Sequence, residues 1–449
     1  MMRAYSARLA AIAAATFVGG TLGIHAAGQD VSPALASAAL ARTIDQVRGL
    51  DADALVARGL HEAPSLQAAR SDVDAARGRE RQAALRANPM VSAERREQLG
   101  GTDVATEAGL EWPLEWGRLA PRRALAEAER ARLDLSRADE ARRLAAAIRS
   151  AYGDVLAEAR VLEVALAQLG TANDLLSLTA GRAAQGMAPV VERDQASVEV
   201  SRLKAQVRLA EGRLDTARLA LARVVGVAPG VPFTVRGTLE GAVSAAPPEG
   251  PPTASAERSA ERPDVQAAAA DVSTARARGD LAHAEGRVDL SVMARYMLMD
   301  NGFPQFGVSS AGAPVPIAGR FHTITAGVVI TLPFMNKREG DVAAAHADMT
   351  AAGHRLDAAR LDVLYETAAA RARMDAADAA LAEYRAGALA AAHRSLGVAR
   401  EAYALGARTL VDVFTEVRRV QDVEMAYTEA LRERYQAGVA LGAARGRVE

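Results

Sequence analysis

The chain repeats its own landmarks at a fixed spacing. Trp112-Pro113-Leu114 returns as Leu332-Pro333-Phe334, Gln185-Gly186-Met187 as Leu405-Gly406-Ala407, and Val225-Gly226 as Arg445-Gly446, each 220 residues later. Upstream, Ala63-Pro64-Ser65 answers to Arg262-Pro263-Asp264 at an offset of 199, so the second copy holds 21 extra residues between these landmarks. A unit of this length is too long for a solenoid module and points to one duplicated structural unit. Whatever this chain folds into must be built twice.

Aromatic residues make up only 4% of the 449, while Ala and Arg dominate the long segments, a composition of long helices rather than of several compact cores. The 54 Lys and Arg are balanced by 55 Asp and Glu, interspersed throughout, which argues against nucleic acid as a partner. The absence of cysteine removes any disulfide framework, zinc-thiolate site or Cys-borne lipid anchor. Arg3 and Arg8, the apolar run from Leu9 to Val18 and the small residues Ala26-Ala27-Gly28 read as an export signal, so residues 1–27 are expected to be a signal peptide. No later segment offers a helical membrane span. An exported chain of this kind is periplasmic, secreted, or held in the outer membrane by β-strands.

The first unit is expected over 28–226, a linker over 227–253 with a short strand at Phe233 to Arg236, and the second unit over 254–449. Each opens with a helical stretch, Ala52 to Arg86 and Ala254 to Ala284. Period two then takes over. In the second copy Val288, Leu290, Val292, Ala294, Tyr296 and Leu298 alternate with Asp289, Ser291, Met293, Arg295, Met297 and Met299. The alternation stops at a Gly-, Pro- and Ser-rich stretch, Asn301 to Gly319, expected as an external loop, and returns through Ile324, Ala326, Val328 and Ile330. Strands are therefore expected near 88–97, 103–114, 287–299 and 321–334, long enough to cross a bilayer when tilted. Trp112 and Trp116, at the end of the second of these, suit either an interfacial aromatic belt or packing at a strand-to-helix junction. Four strands cannot close a barrel, and open edges in lipid leave backbone groups unsatisfied, so several chains must share one.

From Gly117 to Gln185 the chain reads as one helix, spanning roughly 100 Å at the α-helical rise. Leu144, Ile148, Ala151, Val155, Ala159, Leu162, Leu166 and Leu169 form a coiled-coil seam, and Val413, Val417, Val420, Glu424, Tyr427 and Leu431 form its counterpart. Both rods turn back at a glycine, Gly186 and Gly406, giving long helical hairpins over 117–226 and 336–446. Pro189 can open the first returning helix with Glu192 in its first turn, and Thr409 with Asp412 forms a capping-box-like start for the second.

Over essentially the whole mature chain these features resemble the outer membrane factors, or TolC-like channels, of tripartite efflux pumps. The resemblance rests on the duplicated plan and on two turns, Gln185-Gly186-Met187-Ala188-Pro189-Val190-Val191-Glu192 and Leu405-Gly406-Ala407-Arg408-Thr409-Leu410-Val411-Asp412. The junctions Pro113-Leu114-Glu115-Trp116-Gly117-Arg118, followed by Arg122-Arg123-Ala124, and Leu332-Pro333-Phe334-Met335-Asn336-Lys337-Arg338-Glu339-Gly340 look most like the CzcC branch serving cobalt, zinc and cadmium efflux. The resemblance implies a mainly α fold with membrane β: a trimeric α/β barrel in which an outer-membrane β-barrel continues into a periplasmic α-helical barrel. It also implies an outer-membrane location with a long periplasmic extension, lipid around the barrel, a periplasmic adaptor (membrane fusion) protein and an inner-membrane proton-driven RND transporter. A duct for drugs or for type I protein secretion is the alternative cargo reading, since the same architecture serves both.

No enzyme signature is present, and no cofactor is expected. His61, His283, His322, His346, His354 and His393 include no metal-binding helical pair, so no metal site is expected. Met293, Met297 and Met299 share the polar side of one strand, which suits either a soft thioether track or simple space filling. At the tips, the resemblance implies that Glu192, Tyr403, Arg408 and Asp412, beside Gly186 and Gly406, hold the periplasmic mouth shut and dock the adaptor. Thr415 departs from the family, where well-studied members carry a second acidic residue. Helix capping is the plainer role for Glu192 and Asp412.

Overall fold

Proline sets the first break. In the computed structural model, which describes residues 33–101, 103–245 and 261–446, the expected helix from Ala52 to Arg86 divides into α2 (Ala52–Glu62) and α3 (Pro64–Ala83). Pro64 has no N–H to continue the ladder, but at a first helical position none is needed. Pro263 opens α7 (Pro263–Glu285) in the same way, at the duplicated position. The expected signal peptide lies outside the described residues. So do linker residues 246–253.

The linker expectation of a short strand reduces to isolated parallel bridges. Val235 donates its N–H to Thr43 O at 2.8 Å and accepts from Asp45 N at 2.9 Å, tying the linker to the end of α1 (Pro33–Thr43). A short helix, α6 (Leu239–Ser244), follows with Thr238 as its N-cap.

The four strands form one antiparallel sheet in sequence order: β1 (Met90–Glu97), β2 (Val104–Pro113), β3 (Asp289–Val308) and β4 (Pro314–Thr331). One face carries Val91, Leu110, Trp112, Val292, Tyr296, Ile324, Val328 and Ile330, the composition of a lipid-facing surface. Opposite parity places Glu94, Arg96, Glu107, Glu111, Arg295, Met293, Met297 and Met299 together on the other face. Neither β1 nor β4 has a second neighbour among the described residues, so within one chain the sheet remains open at both edges.

The expected loop from Asn301 to Gly319 is instead mostly strand. Asn301 pairs with Gly319 and the ladder continues, across one irregularity, to Val308 opposite Pro314, closing in a turn at 309–313. β2 stops pairing with β3 at Asp300, so beyond that point the β3–β4 ribbon pairs only with itself. The additional residues of the second copy thus lengthen its strands, 20 and 18 residues against 8 and 10.

Below the sheet the chain descends twice through equal numbers of residues. α4 (Leu119–Ala184) is one helix of 66 residues. Its duplicate occupies Glu339 to Ala404 as α8 (Glu339–Glu383), a π-helical turn at Tyr384–Ala388, and α9 (Leu389–Ala404). The returning helices are α5 (Val190–Val225) and α10 (Leu410–Ala444). Seam residues Leu144, Ile148, Val155 and Leu162 are buried against them, as are Val413, Val417 and Leu431 on α10.

The junction motifs tie the sheet to the helices below it. Glu115, held at a positive φ of 49°, pairs with Arg122, whose Nε donates to Ala83 O at 3.0 Å at the end of α3. Arg118 reaches Asp289 Oδ2 at 3.0 Å. In the second copy Arg338, also at positive φ, pairs with Glu285 at 2.6 Å. The Trp112 indole donates to Ala87 O at 3.0 Å, which favours the junction-packing reading of that residue.

Candidate functional site at the helical tips

Two long helices that end and reverse leave carbonyls without partners, and glycine resolves both ends. Gly186 (φ 69°) and Gly406 (φ 75°) take the left-handed conformation. At the first tip Gly186 N donates to Ala183 O and Met187 N to Arg182 O; at the second Gly406 N donates to Tyr403 O and Ala407 N to Ala402 O. Both tips are therefore Schellman motifs, and a β-carbon at either glycine would strain the turn.

Between the tips the structure brings two of the expected residues into contact. The Tyr403 hydroxyl, at the end of α9, donates to Glu192 Oε2 at 2.6 Å, in the first turn of α5. Tyr403 is 2% exposed. Burial and the Glu192 carboxylate together push its phenol up to about 12.

Asp412 and Arg408 are placed differently. Asp412 completes a capping box with Thr409, accepting from Thr409 N at 3.0 Å while Thr409 Oγ1 accepts from Asp412 N. Hydrogen bonds from the Thr409 backbone and hydroxyl hold its carboxyl below the usual range. Arg408 is exposed and, among the described residues, makes no ion pair or hydrogen bond. Thr415 donates to Val411 O at 2.9 Å and takes no part in the contact between hairpins.

Sequence reasoning missed Arg182. Its guanidinium crosses from α4 to the other hairpin, donating to Tyr403 O and, at 3.3 Å, to Ala404 O, with its Cζ 4.9 Å from the centre of the Tyr403 ring. The signal was a basic residue in the last turn before a glycine, but such a residue ordinarily serves the end of its own helix. Arg182 serves the end of α9, and that crossing is not visible in one dimension.

Among the described residues no group of three or more His, Asp and Glu is arranged to hold a metal ion. The histidines are less scattered than their spacing suggests. His283 and His346 meet edge to face with ring centres 6.2 Å apart, and the His322 ring lies 2.6 Å from the Tyr296 hydroxyl. Met293 lies across Gly327, where its methyl would be 2.8 Å from an added β-carbon, an arrangement of close packing on the sheet.

The family model for outer membrane efflux proteins matches residues 55–227 and 256–447, both copies of the duplication. Solved structures with the same fold include CusC, described for the conformational changes accompanying folding and transmembrane channel formation. It is 17% identical, with 90% of this chain and 96% of that one covered and a TM-score of 0.73. VceC, an outer membrane protein of Vibrio cholerae, is 20% identical over 88% of this chain and 96% of its own, with a TM-score of 0.68. The open state of the MtrE outer membrane channel of Neisseria gonorrhoeae is 19% identical over 87% and 88%, with a TM-score of 0.69. No curated protein matches the chain.

Proposed function

The chain belongs to the outer membrane efflux protein family, and from that premise we propose that it is the exit duct of a tripartite pump for heavy-metal cations, gated at its helical tips. It is an outer-membrane efflux channel with a long periplasmic helical extension. A duct of this family moves its cargo without catalysis. Three copies would close the open sheet into a twelve-stranded barrel. Because strand direction alternates from β1 to β4, joining β4 of one copy to β1 of the next keeps every pairing antiparallel.

The observation that carries the gate is the tie of Tyr403 to Glu192 and of Arg182 to the end of α9, which holds the two hairpins together at the tip. Arg408, exposed and acting on Asp412 only through its charge, is a cation available to contact a neighbouring tip. The exposed turns around Gly186 and Gly406 are the surface offered to a periplasmic adaptor, itself coupled to an inner-membrane RND pump. The metal cargo is supported by the likeness of the two junction motifs to the heavy-metal branch.

Expression in a strain lacking its own outer-membrane efflux channel, together with an RND pump and a periplasmic adaptor of the heavy-metal class, tests the cargo. Restored growth on zinc, cobalt, cadmium, copper or silver salts is the expected result. Restored tolerance to dyes and antibiotics alone, or export of a protein, would overturn the metal assignment while leaving the duct intact.

A further inference from the structure

The two copies descend through the same number of residues, yet only one is interrupted. α4 runs unbroken through 164–168, while the duplicated positions, Tyr384–Ala388, form the π-helical turn between α8 and α9. Such turns are rare, weaken the local hydrogen-bond ladder and let a helix bend.

The apolar core divides at the same height. One buried cluster reaches down the second hairpin to Leu381, Tyr427 and Leu431. A second begins at Ala392 and Val420, takes in Leu175 and Ala196 of the first hairpin and runs to Tyr403 and Leu410 at the tip, with Leu176 packed against both clusters. Between them lies a polar layer in which Glu424 occupies a seam position. Arg160 Nη2 on α4 reaches Glu424 Oε2 at 3.1 Å, and His393 Nε2 on α9 lies 2.8 Å from its Oε1.

That layer has room and spare donors. Arg160, Gln168, His393 and Glu424 all line a cavity of about 310 Å³. Gln168 is 7% exposed with no partner for its Nε2, and Arg160 Nε is likewise buried and unpartnered. A close-packed apolar seam resists sliding, whereas a polar layer beside an open groove can exchange one hydrogen bond for another.

We propose that the second hairpin is divided at Tyr384–Ala388 into a fixed upper part and a tip unit that turns about the π-helical pivot, with the Arg160–Gln168–His393–Glu424 layer as its joint. The tip unit comprises α9, the Gly406 turn and the first turns of α10 up to Val420. Movement of α10 into the cavity brings the Glu424 carboxylate toward the waiting Gln168 amide. The role of this motion in conduction rests on the gate proposed above; the pivot itself is a property of the hairpin.

Two measurements on the assembled full-length protein test it. Amide hydrogen exchange should step up by about tenfold on passing from α8 into α9, with no step at the aligned positions 164–168 of α4. Protection that passes through 384–388 as smoothly as through 164–168 overturns the pivot, whatever the fate of the gate. For the joint, Gln168→Leu with Glu424→Leu makes the α10 seam continuous, and deletion of Gly387 returns the turn to α-helix. In planar bilayers, Tyr403→Phe should raise open probability roughly tenfold or more in the parent and leave it near the background's own level in either variant. An equal rise in the Gln168→Leu/Glu424→Leu background overturns the joint, even if the deletion variant does not assemble. A Tyr403→Phe variant that fails to open the parent counts against the gate, and the exchange profile then decides the pivot alone.

Discussion

Tyr403→Phe isolates one interaction at the tip. The ring, its burial and the Arg182 contacts to the Tyr403 and Ala404 carbonyls all remain; only the hydroxyl that donates to Glu192 is lost. A hydrogen bond to a charged group contributes about 1.5–3 kcal/mol, and because Glu192 is only half-buried, water recovers part of it. The lower end, about 1.5 kcal/mol, corresponds to roughly a tenfold shift from closed to open in each copy. If three copies open together the shifts multiply to roughly a thousandfold; if each tip opens alone, the effect stays near tenfold. Single-channel recording of purified protein in planar bilayers separates these cases, with gel mobility confirming assembly. Open probability indistinguishable from the parent would show that the Tyr403–Glu192 bond does not hold the mouth closed.

The same bond predicts an alkaline transition. The Tyr403 phenol sits at about 12, above its ordinary value of 10.0, so its contribution is whole below pH 10 and is lost as pH rises through about 12. Phenolate absorbance should lose one late-titrating group in Tyr403→Phe, and unchanged curves would refute the assignment. Gly153→Ala should destabilise the helical barrel by about 1–3 kcal/mol, because its β-carbon would lie 2.3 Å from the Tyr435 ring; unaltered denaturant stability would refute that packing. Arg142→Met leaves the buried Asp139 with Arg143 alone and removes the donor to Ala443 O, so a loss of about 2–4 kcal/mol is expected. Adding Asp139→Leu should recover most of it, and a double variant as unstable as the single one would contradict the argument. Ser310→Cys, the sole thiol in the chain, should react with an impermeant maleimide in intact cells, whereas protection until lysis would place the β3–β4 turn inside.

The duplication was legible because turn glycines and helix-opening prolines are local requirements that recur wherever the same backbone recurs. Pro64 and Pro263, like Gly186 and Gly406, mark equivalent points of the two copies. The membrane strands were legible where one face meets lipid and the other does not, as at Val292 and Met293. Beyond Asp300 the ribbon no longer pairs with β2 and period two vanishes, so Gly, Pro and Ser make a strand read as a loop. Tyr403 and Glu192 could be named because the family resemblance attaches a tyrosine and a carboxylate to the two turns. Arg182 could not, since its partners lie 221 and 222 residues away. The π-helical turn left one sign, Gly387, which departs from helical φ and ψ, but a single glycine inside a helix is tolerated too often to mark a break. Glu424 was the visible clue, a carboxylate within an otherwise apolar seam, and only the folded chain supplies Arg160 and His393 to explain it.

The equal descent of the two copies also sets terms for how such a protein can change. Adding one residue to α4 alone would lower one tip by about 1.5 Å and rotate everything below it by roughly 100°. Tyr403 and Glu192 would then no longer meet. A change of length within one rod has therefore to be matched in the other or absorbed locally, as a π-helical turn can do, while the self-paired end of β3 and β4 can lengthen or shorten without shifting either tip. One molecule thus contains a stretch whose length is constrained by a distant contact and another whose length is free. The free stretch is the one farthest from the helical tips.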